Sequence, residues 1–337
     1  MKFKNLINNE KGFLKQALII FVIMCILPFL SSSEFFVSTL CLAVIWSIMG
    51  TGWNIVGGYA GQVSNGHAMY YAIGAYVSAL ALKWYGVTPW ISMWIGALLC
   101  AALAFVIGWP LLRLRGHYFS ISTMAIVECV RIIFTNWDFI GGATGVSYFD
   151  KTHSAWYSLQ FTNRVPFYFI CLVFLFLFLF LSRYIMRSKF GYYCRAIKAN
   201  QDSAESSGVN AAYYKRIAYM ISAAIVGVGG ALYAQYIQYI DPASLLPLSN
   251  SMLIVLVVVM GGIGTIWGPV LGAFIMIFIN QYARAIFNQV SGLNLFIYGV
   301  LCLVIVLFLP NGILSIFTNE KVKGLFTRKK KAVKEEN

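Results

Sequence analysis

Charge is what this sequence has least of. Only 11% of its 337 residues are Asp, Glu, Lys or Arg, where a soluble globular domain carries about 25%. Acids are scarcer than bases, 11 against 25, for a net charge of +14. Seven cysteines are present without a CxxC pair, and Cys25, Cys41, Cys100, Cys129, Cys171 and Cys302 lie in apolar runs. They read as small apolar packing residues, not as a metal or redox set. No GxxxxGK[ST] phosphate loop occurs. The nearest text, "GGIGTIWGP", lacks the lysine. No stretch has the composition of a soluble catalytic domain. These absences exclude a soluble enzyme and a metal-cluster protein. They also mean that any ATP this protein uses is hydrolysed by another chain.

What is present is hydrocarbon. Hydrophobic residues make up 60% of the chain and aromatics 16%, with a mean hydropathy of +0.76. The fold class that follows is an all-α polytopic membrane protein. About 20 apolar residues cross roughly 30 Å of hydrocarbon. Ten such runs are predicted: Gln16–Leu30, Phe35–Val56, Gly66–Leu82, Trp90–Leu112, Tyr118–Thr135, Val165–Ser182, Ala212–Tyr239, Leu248–Gly264, Pro269–Ile286 and Asn294–Leu309. The first, preceded by a long basic stretch and followed by further runs, is read as a retained span and not a cleaved signal.

Basic residues favour the cytoplasmic side of a membrane. Lys2, Lys4, Lys11 and Lys15 precede the first span, and Arg113 and Arg115 follow the fourth. Seven lie around the centre, from Arg183 to Arg216, and seven in the tail from Lys321 to Lys334, making 20 of the 25 bases. Ten spans starting inside put all four groups on one face, and dropping any one span breaks the agreement. Both termini are then cytoplasmic. Residues 1–317 form the membrane domain and 318–337 a basic tail near anionic lipid. Residues 136–164 form an external loop. In a soluble protein the basic excess would suggest nucleic acid; here it sets topology, and no nucleic-acid partner is expected.

Polar residues and glycines at membrane depth are costly unless they face protein or water. Three places accept that cost. Asn54, Gly61, Gln62, Ser64, Asn65 and His67 lie in "NIVGGYAGQVSNGHAMYYAIGAY". Either this is an inter-helix turn at the surface or a broken, re-entrant helix lining a pathway, and the glycine density on both sides favours the second. His67 has no partner ligands at helical spacing and reads as a packing residue. Glu128 and Arg131 are three apart on one helix and can pair, either structurally or at a pathway. The third place, "VVVMGGIGTIWGPVLGAFIMIF", reads as close helix packing around a turn, with Pro269 opening the next span.

The segment "GYYCRAIKANQDSAESSGVN", residues 191–210, is a polar island between apolar runs. Gly191 is expected to end span six. Arg195, Lys198, Asp202 and Glu205 are spaced to share a helix face, with Lys198 and Asp202 able to pair. Asn200 or Asp202 can cap a helix of one to two turns, Gly208 can stop it, and Asn210 can cap span seven. A slack loop needs no such signals, so a short ordered docking helix is expected.

This segment and its continuation "AAYYKRIAYMISAAIVGVGGALYA" resemble the permease subunits of branched-chain amino-acid ABC importers, most closely the M-type, LivM-like subunit. So, in the same order, do "WNIVGGYAGQVSNGHAMYYAIGAY", "RLRGHYFSISTMAIVECVR", "NWDFIGGATG" and "MGGIGTIWGPVLGA". The resemblance spans about Trp46 to Phe317. It implies a vitamin B12-importer-like permease fold in the bacterial inner membrane. It also implies an H-type sister permease, two ATPase subunits that carry ATP and Mg, and an extracytoplasmic solute-binding protein. No cofactor is expected on this chain. The coupling helix implied between spans six and seven falls on Asn200, Gln201, Asp202, Ser203, Ala204, Glu205 and Gly208. Gln201 stands where the family-like text has an acid, Ser203 where it has an alanine, and "IGGATG" lacks the proline of "TGGPxG". Relatives with this fold also carry urea, amides, sugars and nucleosides. The rival readings are a proton-coupled secondary transporter working through Glu128 and a non-transporting membrane scaffold.

Overall fold

A computed structural model describes residues 2–31, 33–114, 116–149, 154–286, 299 and 312–314, with backbone alone for residues 2–11. Its helices, in chain order, are α1 (Lys2–Ile26), α2 (Glu34–Trp53), α3 (His67–Tyr85), α4 (Pro89–Leu111), α5 (His117–Thr135), α6 (Ala155–Ser158), α7 (Arg164–Arg187), α8 (Lys189–Ala199), α9 (Gln201–Ser206), α10 (Ala211–Ile237), α11 (Pro242–Leu245), α12 (Leu248–Gly261) and α13 (Gly268–Ile286). Two short strands, β1 (Val146–Ser147) and β2 (Tyr239–Ile240), pair antiparallel with Val146 opposite Ile240.

Among the described residues, eight stretches are long and apolar enough to cross a membrane, and each overlaps one of the expected spans. The expected third span is α3. Its 19 residues would rise about 28 Å, yet its composition does not place it among the eight. His67 and four tyrosines dilute its hydropathy, and its tolerance comes from burial inside the protein. The expected tenth span, Asn294–Leu309, and the basic tail 318–337 lie outside the described residues.

The centre of the molecule is α2. It packs on α7, α10, α12 and α13, while α10 packs on α3 and α4. Of the α2 span, 83% is buried, against 17% for α5, so α2 is the axis and α5 is peripheral. A helix apolar all round belongs in a core. Its hydroxyls are satisfied within the helix. Thr39, Ser47 and Thr51 donate to the carbonyls of Phe35, Ala43 and Ser47 at 2.7–2.8 Å, which removes their cost in an apolar wall.

Helix α10 reaches α3 through small residues. A side chain at Gly74 would strike the Gly227 backbone, and one at Gly230 would strike the Tyr71 carbonyl. Such close approach is how helices associate where hydrophobic driving force is weak. The turn from α12 to α13 is built likewise, with Gly272 against the Val257 carbonyl and Pro269 in the first turn of α13.

The contacts sort the helix ends into two sets. At one end the α2–α3 connection meets the start of α5, the α12–α13 turn and α8. At the other, the described part of the 136–164 loop closes over the helices. There Thr88 donates to the Tyr157 carbonyl (2.6 Å), Trp90 to that of Trp156 (2.9 Å), and Tyr157 to that of Gly86 (2.7 Å). Helix α3 therefore runs end to end like the eight apolar stretches. Arg113, Arg183, Arg187, Lys189, Arg195, Lys198, Lys215 and Arg216 sit on or beside the connections of the first set.

Gly230→Val is expected to destabilise the protein by about 1–3 kcal/mol or more, because the obstruction is backbone that cannot repack. Thermal melting in detergent, with Gly12→Ala as the control (its added Cβ meets nothing within 4 Å), checks this.

Candidate coupling and gating site

The α2 helix does not end cleanly. It passes into a π-helical turn, Asn54–Tyr59, and then into irregular chain that reaches α3 at His67. The connection is thus a turn between two helices that opens with a distorted last turn of α2, the break in its regular winding, and its residues are tied down from every side. Asn54, buried, donates to the Thr265 carbonyl and accepts from the Gly264 N–H, both at 2.8 Å. Trp53 Nε1 donates to the Ser64 carbonyl (2.7 Å), and Ser120 Oγ to that of Val63 (2.6 Å). Thr123 Oγ1 accepts from the Asn65 N–H (3.1 Å). Gly61 holds a left-handed φ of +71° against Lys198. Gln62 and Asn65 are half-buried, whereas Asn54, Ser64 and His67 are buried. These three therefore hold the break and do not line open space.

His67 Nε2 lies 2.8 Å from Ser222 Oγ on α10, with the rings of Tyr70 and Tyr219 edge-on at 5.8 and 5.9 Å. It packs α3 on α10. Among the described residues no group of three or more His, Cys, Asp or Glu is placed to hold a metal.

Glu128 and Arg131 form the expected ion pair, with Arg131 Nε 3.0 and 3.1 Å from the two carboxylate oxygens and an Nη2 contact besides. Both side chains are 41% exposed on the outer side of α5. They are not brought together with the 54–67 cluster. That cluster meets α5 at Ser120 and Thr123, the first turns of the helix.

At the central segment, the expected stop at Gly191 is displaced. Helix α7 ends at Arg187, and Ser188, whose hydroxyl accepts from the Gly191 N–H (3.4 Å), caps a new helix, α8. Gly191 lies inside α8, where a side chain would strike the Ile185 and Met186 carbonyls. Helix α8 stops at Asn200, which is extended (φ −159°, ψ 113°) and caps α9 by accepting from the Ser203 N–H at 3.0 Å. This break also separates Lys198 from Asp202, so the four charged residues from Arg195 to Glu205 do not share one helix face. The Lys198 amine reaches across to the Gly58 carbonyl instead (2.7 Å).

The end of α9 is a Schellman motif. Gly208, at φ +86°, donates to the Glu205 carbonyl (2.9 Å), and Val209 donates to that of Ala204 (3.0 Å). Ala204 and Val209 pack together with Ile197 and Ala211, the apolar contact that completes such an end. Asn210 then caps α10 by accepting from the Tyr213 N–H at 3.0 Å. Gln201 has a structural reason. Its amide accepts from the buried Lys215 amine (2.6 Å) and donates to Glu205 (2.8 Å), linking α9 to α10. Nothing in the structure explains Ser203. Asp202, Ser203 and Glu205 face solvent, as does Gly208.

Sequence reasoning missed Lys198, Trp53, Ser120, Thr123 and Thr265 as supports of the break. Their partners are far away in the chain, and no local pattern marks them.

A helical membrane protein whose axial helix ends in a polar, tightly held turn, with a short capped helix displayed between two spans, has an architecture that suits a transport permease. Residues 35–307 match the family model described as "Branched-chain amino acid transport system / permease component", and the chain belongs to that family. It is 31% identical to the high-affinity branched-chain amino acid transport system permease protein LivM of Escherichia coli K12, over 81% of this chain and 68% of that one. It is 30% identical to LivM of Salmonella typhimurium, over 91% and 75%. To LivH of Escherichia coli K12 it is 25% identical, over 83% and 94%. No solved structure matches the chain. It is a permease subunit of an ABC importer and a multi-pass membrane protein; its relatives are transport components, not enzymes.

Asn54→Leu removes the partner of the half-buried Gly264 N–H and Thr265 carbonyl, at about 1 kcal/mol each. Its melting temperature should fall, and the turn at 262–268 should become the first site of protease cleavage in detergent. A second outcome concerns Cys194, whose thiol is pushed up to about 12 by burial in α8. Neutral thiol dominates below that value, so at pH 8 only about one thiol in 10⁴ is thiolate. Alkylation of Cys194, read by peptide mass spectrometry, should be far slower in the folded protein than in the denatured one and should accelerate steadily from pH 7 to 10.

Proposed function

We propose that this chain imports branched-chain amino acids across the bacterial inner membrane as one half of a permease pair. The partner is an H-type sister subunit. Two ATPase subunits carrying ATP and Mg dock at the basic end, and a solute-binding protein delivers substrate at the other end, over the 136–164 loop. Both termini and the basic end then lie in the cytoplasm. Relatedness to LivM and LivH supports the cargo. The observation that carries the coupling role is α9: a six-residue helix with four exposed residues, Asp202, Ser203, Glu205 and Ser206, capped at both ends, between two spans, at the end where the bases gather.

The mechanism follows from stiffness. A helix closed by Asn200 on one side and a Schellman end on the other transmits a push without fraying. Asn200, Gln201, Asp202, Ser203, Ala204, Glu205 and Gly208 form the surface and frame of that lever. Ala204 faces inward, so the docking face is made by Asp202, Ser203 and Glu205. Substrate passes between this chain and its sister subunit, past α5 with Glu128 and Arg131 and past Gly61, Gln62 and Asn65 at the break. Asn54, Ser64 and His67 hold that wall from behind.

The same architecture would serve a permease for urea, amides, sugars or nucleosides, and the binding protein decides among them. A proton-coupled carrier using Glu128 is the weaker reading, because that carboxylate is already engaged by Arg131 on its own helix.

The test is uptake by proteoliposomes holding the permease pair, the ATPases and the binding protein. Leucine uptake should require ATP and be blocked by orthovanadate. Uptake without ATPases that collapses with an uncoupler would overturn the proposal. Glu205→Arg, on the exposed face of α9, should leave membrane insertion intact and lower transport-linked ATP hydrolysis by about tenfold.

A further inference from the structure

The broken helix and the docking helix are joined at one side chain. Lys198 lies on the last turn of α8, two residues before the Asn200 cap that starts α9. Its amine donates to the Gly58 carbonyl at 2.7 Å. Its stem covers Gly61, where an added Cβ would stand 2.9 Å from Lys198 Cγ. A Cβ added at Gly264 would stand 3.6 Å from the same amine, and the Gly264 N–H is the one held by Asn54. Three elements therefore converge on one ammonium: the end of the α2 break, the α12–α13 turn and the segment that carries α9.

The chemistry of the contact suits a latch. The last carbonyls of a helix have no intrahelical donors and form the negative end of its dipole. The helical turn ends at Tyr59, so the Gly58 carbonyl is among the last of the helix and takes an outside donor, and a cation there is favoured twice. The donor comes from the segment that carries α9, not from α2 itself, 140 residues away in sequence. Only Asn200 separates α8 from α9, so a rigid displacement of α9 is felt at Lys198 first.

We infer that Lys198 is the positioning residue that couples α9 to the helix break, holding residues 54–66 closed while its amine caps Gly58 and releasing them when α9 is displaced. This rests on the transport reading for its purpose but not for its geometry. Release frees the break at Gly58 and Gly61, the glycines beside the half-buried Gln62. The break can then rearrange without disturbing α2 above it, whose polar groups are satisfied internally.

The experiment compares Lys198→Met, which keeps the stem and removes the donor, with Lys198→Arg, which keeps charge and donors. In the membrane-embedded chain alone, amide hydrogen exchange over residues 57–62 should rise about tenfold in the Met variant and stay near the parent rate in the Arg variant. In the reconstituted complex the Met variant should keep hydrolysing ATP while leucine imported per ATP falls about tenfold, with Arg restoring most of it. Unchanged exchange at 57–62 in the Met variant overturns the latch. So does a matched fall of hydrolysis, uptake and melting temperature in both variants, which is the mark of a merely structural lysine. A parent complex that shows no ATP-dependent uptake overturns the transport reading instead, and the exchange measurement still decides the latch.

Discussion

The last carbonyls of a helix have no donors within it, and where they are buried they must take them from elsewhere. The rest of this structure is arranged around that demand at residues 54–66. Asn54 turns its amide onto the α12–α13 turn, supplying a donor and an acceptor at once. Trp53 closes the far side of the break onto Ser64. Ser120 and Thr123 bring the base of α5 in, and Lys198 brings α8. Each of these is a polar group that would be costly alone and is stabilising as a pair. Together they fix where four otherwise separate elements meet. The apolar helices could slide against one another with little penalty; the break gives them a common register.

The same logic explains why the polar segment between α7 and α10 is rigid. Three caps, at Ser188, Asn200 and Asn210, leave few orphan groups in α8, α9 and the start of α10. The Gln201–Lys215 contact adds a cross-link between α9 and α10, and the same amide also holds Glu205. The lever is thus defined by hydrogen bonds within it, while its exposed face is left to a partner.

Much of this was legible in the chain because the signals are local. Asn200, Gly208 and Asn210 announced the ends of α9 and α10 by residue type and spacing alone, and Glu128 and Arg131 announced their pair by a separation of three. Apolar runs located the eight composition-qualified spans. What stayed hidden was non-local or competitive. Gly191 looked like a helix stop, but Ser188 offered a better N-cap three residues earlier, and the glycine served close packing instead. Lys198 looked like the partner of Asp202, but that pairing needs one continuous helix and Asn200 interrupts it. The buried set Asn54, Ser64 and His67 was recognised as costly, yet only tertiary contacts show that they brace the break from behind while Gln62 and Asn65 lie nearer its surface.

The exposed face of α5 follows from the same constraint carried outward. A Glu–Arg pair, even neutralised, retains hydrogen-bonding groups that hydrocarbon does not satisfy. With only 17% of its span buried in this chain, α5 presents that pair to whatever lies outside. Lipid is the costly choice, so the face belongs against protein or water, as in the proposed pathway beside a sister subunit. The base of the same helix holds Val63 and Asn65. Glu128 lies about 12 Å above Ser120 at the rise of an α-helix. The ion pair and the break, separate in space, thus both belong to one continuous helix, and in the proposed mechanism α5 is the element that would carry a movement of the break to the membrane face.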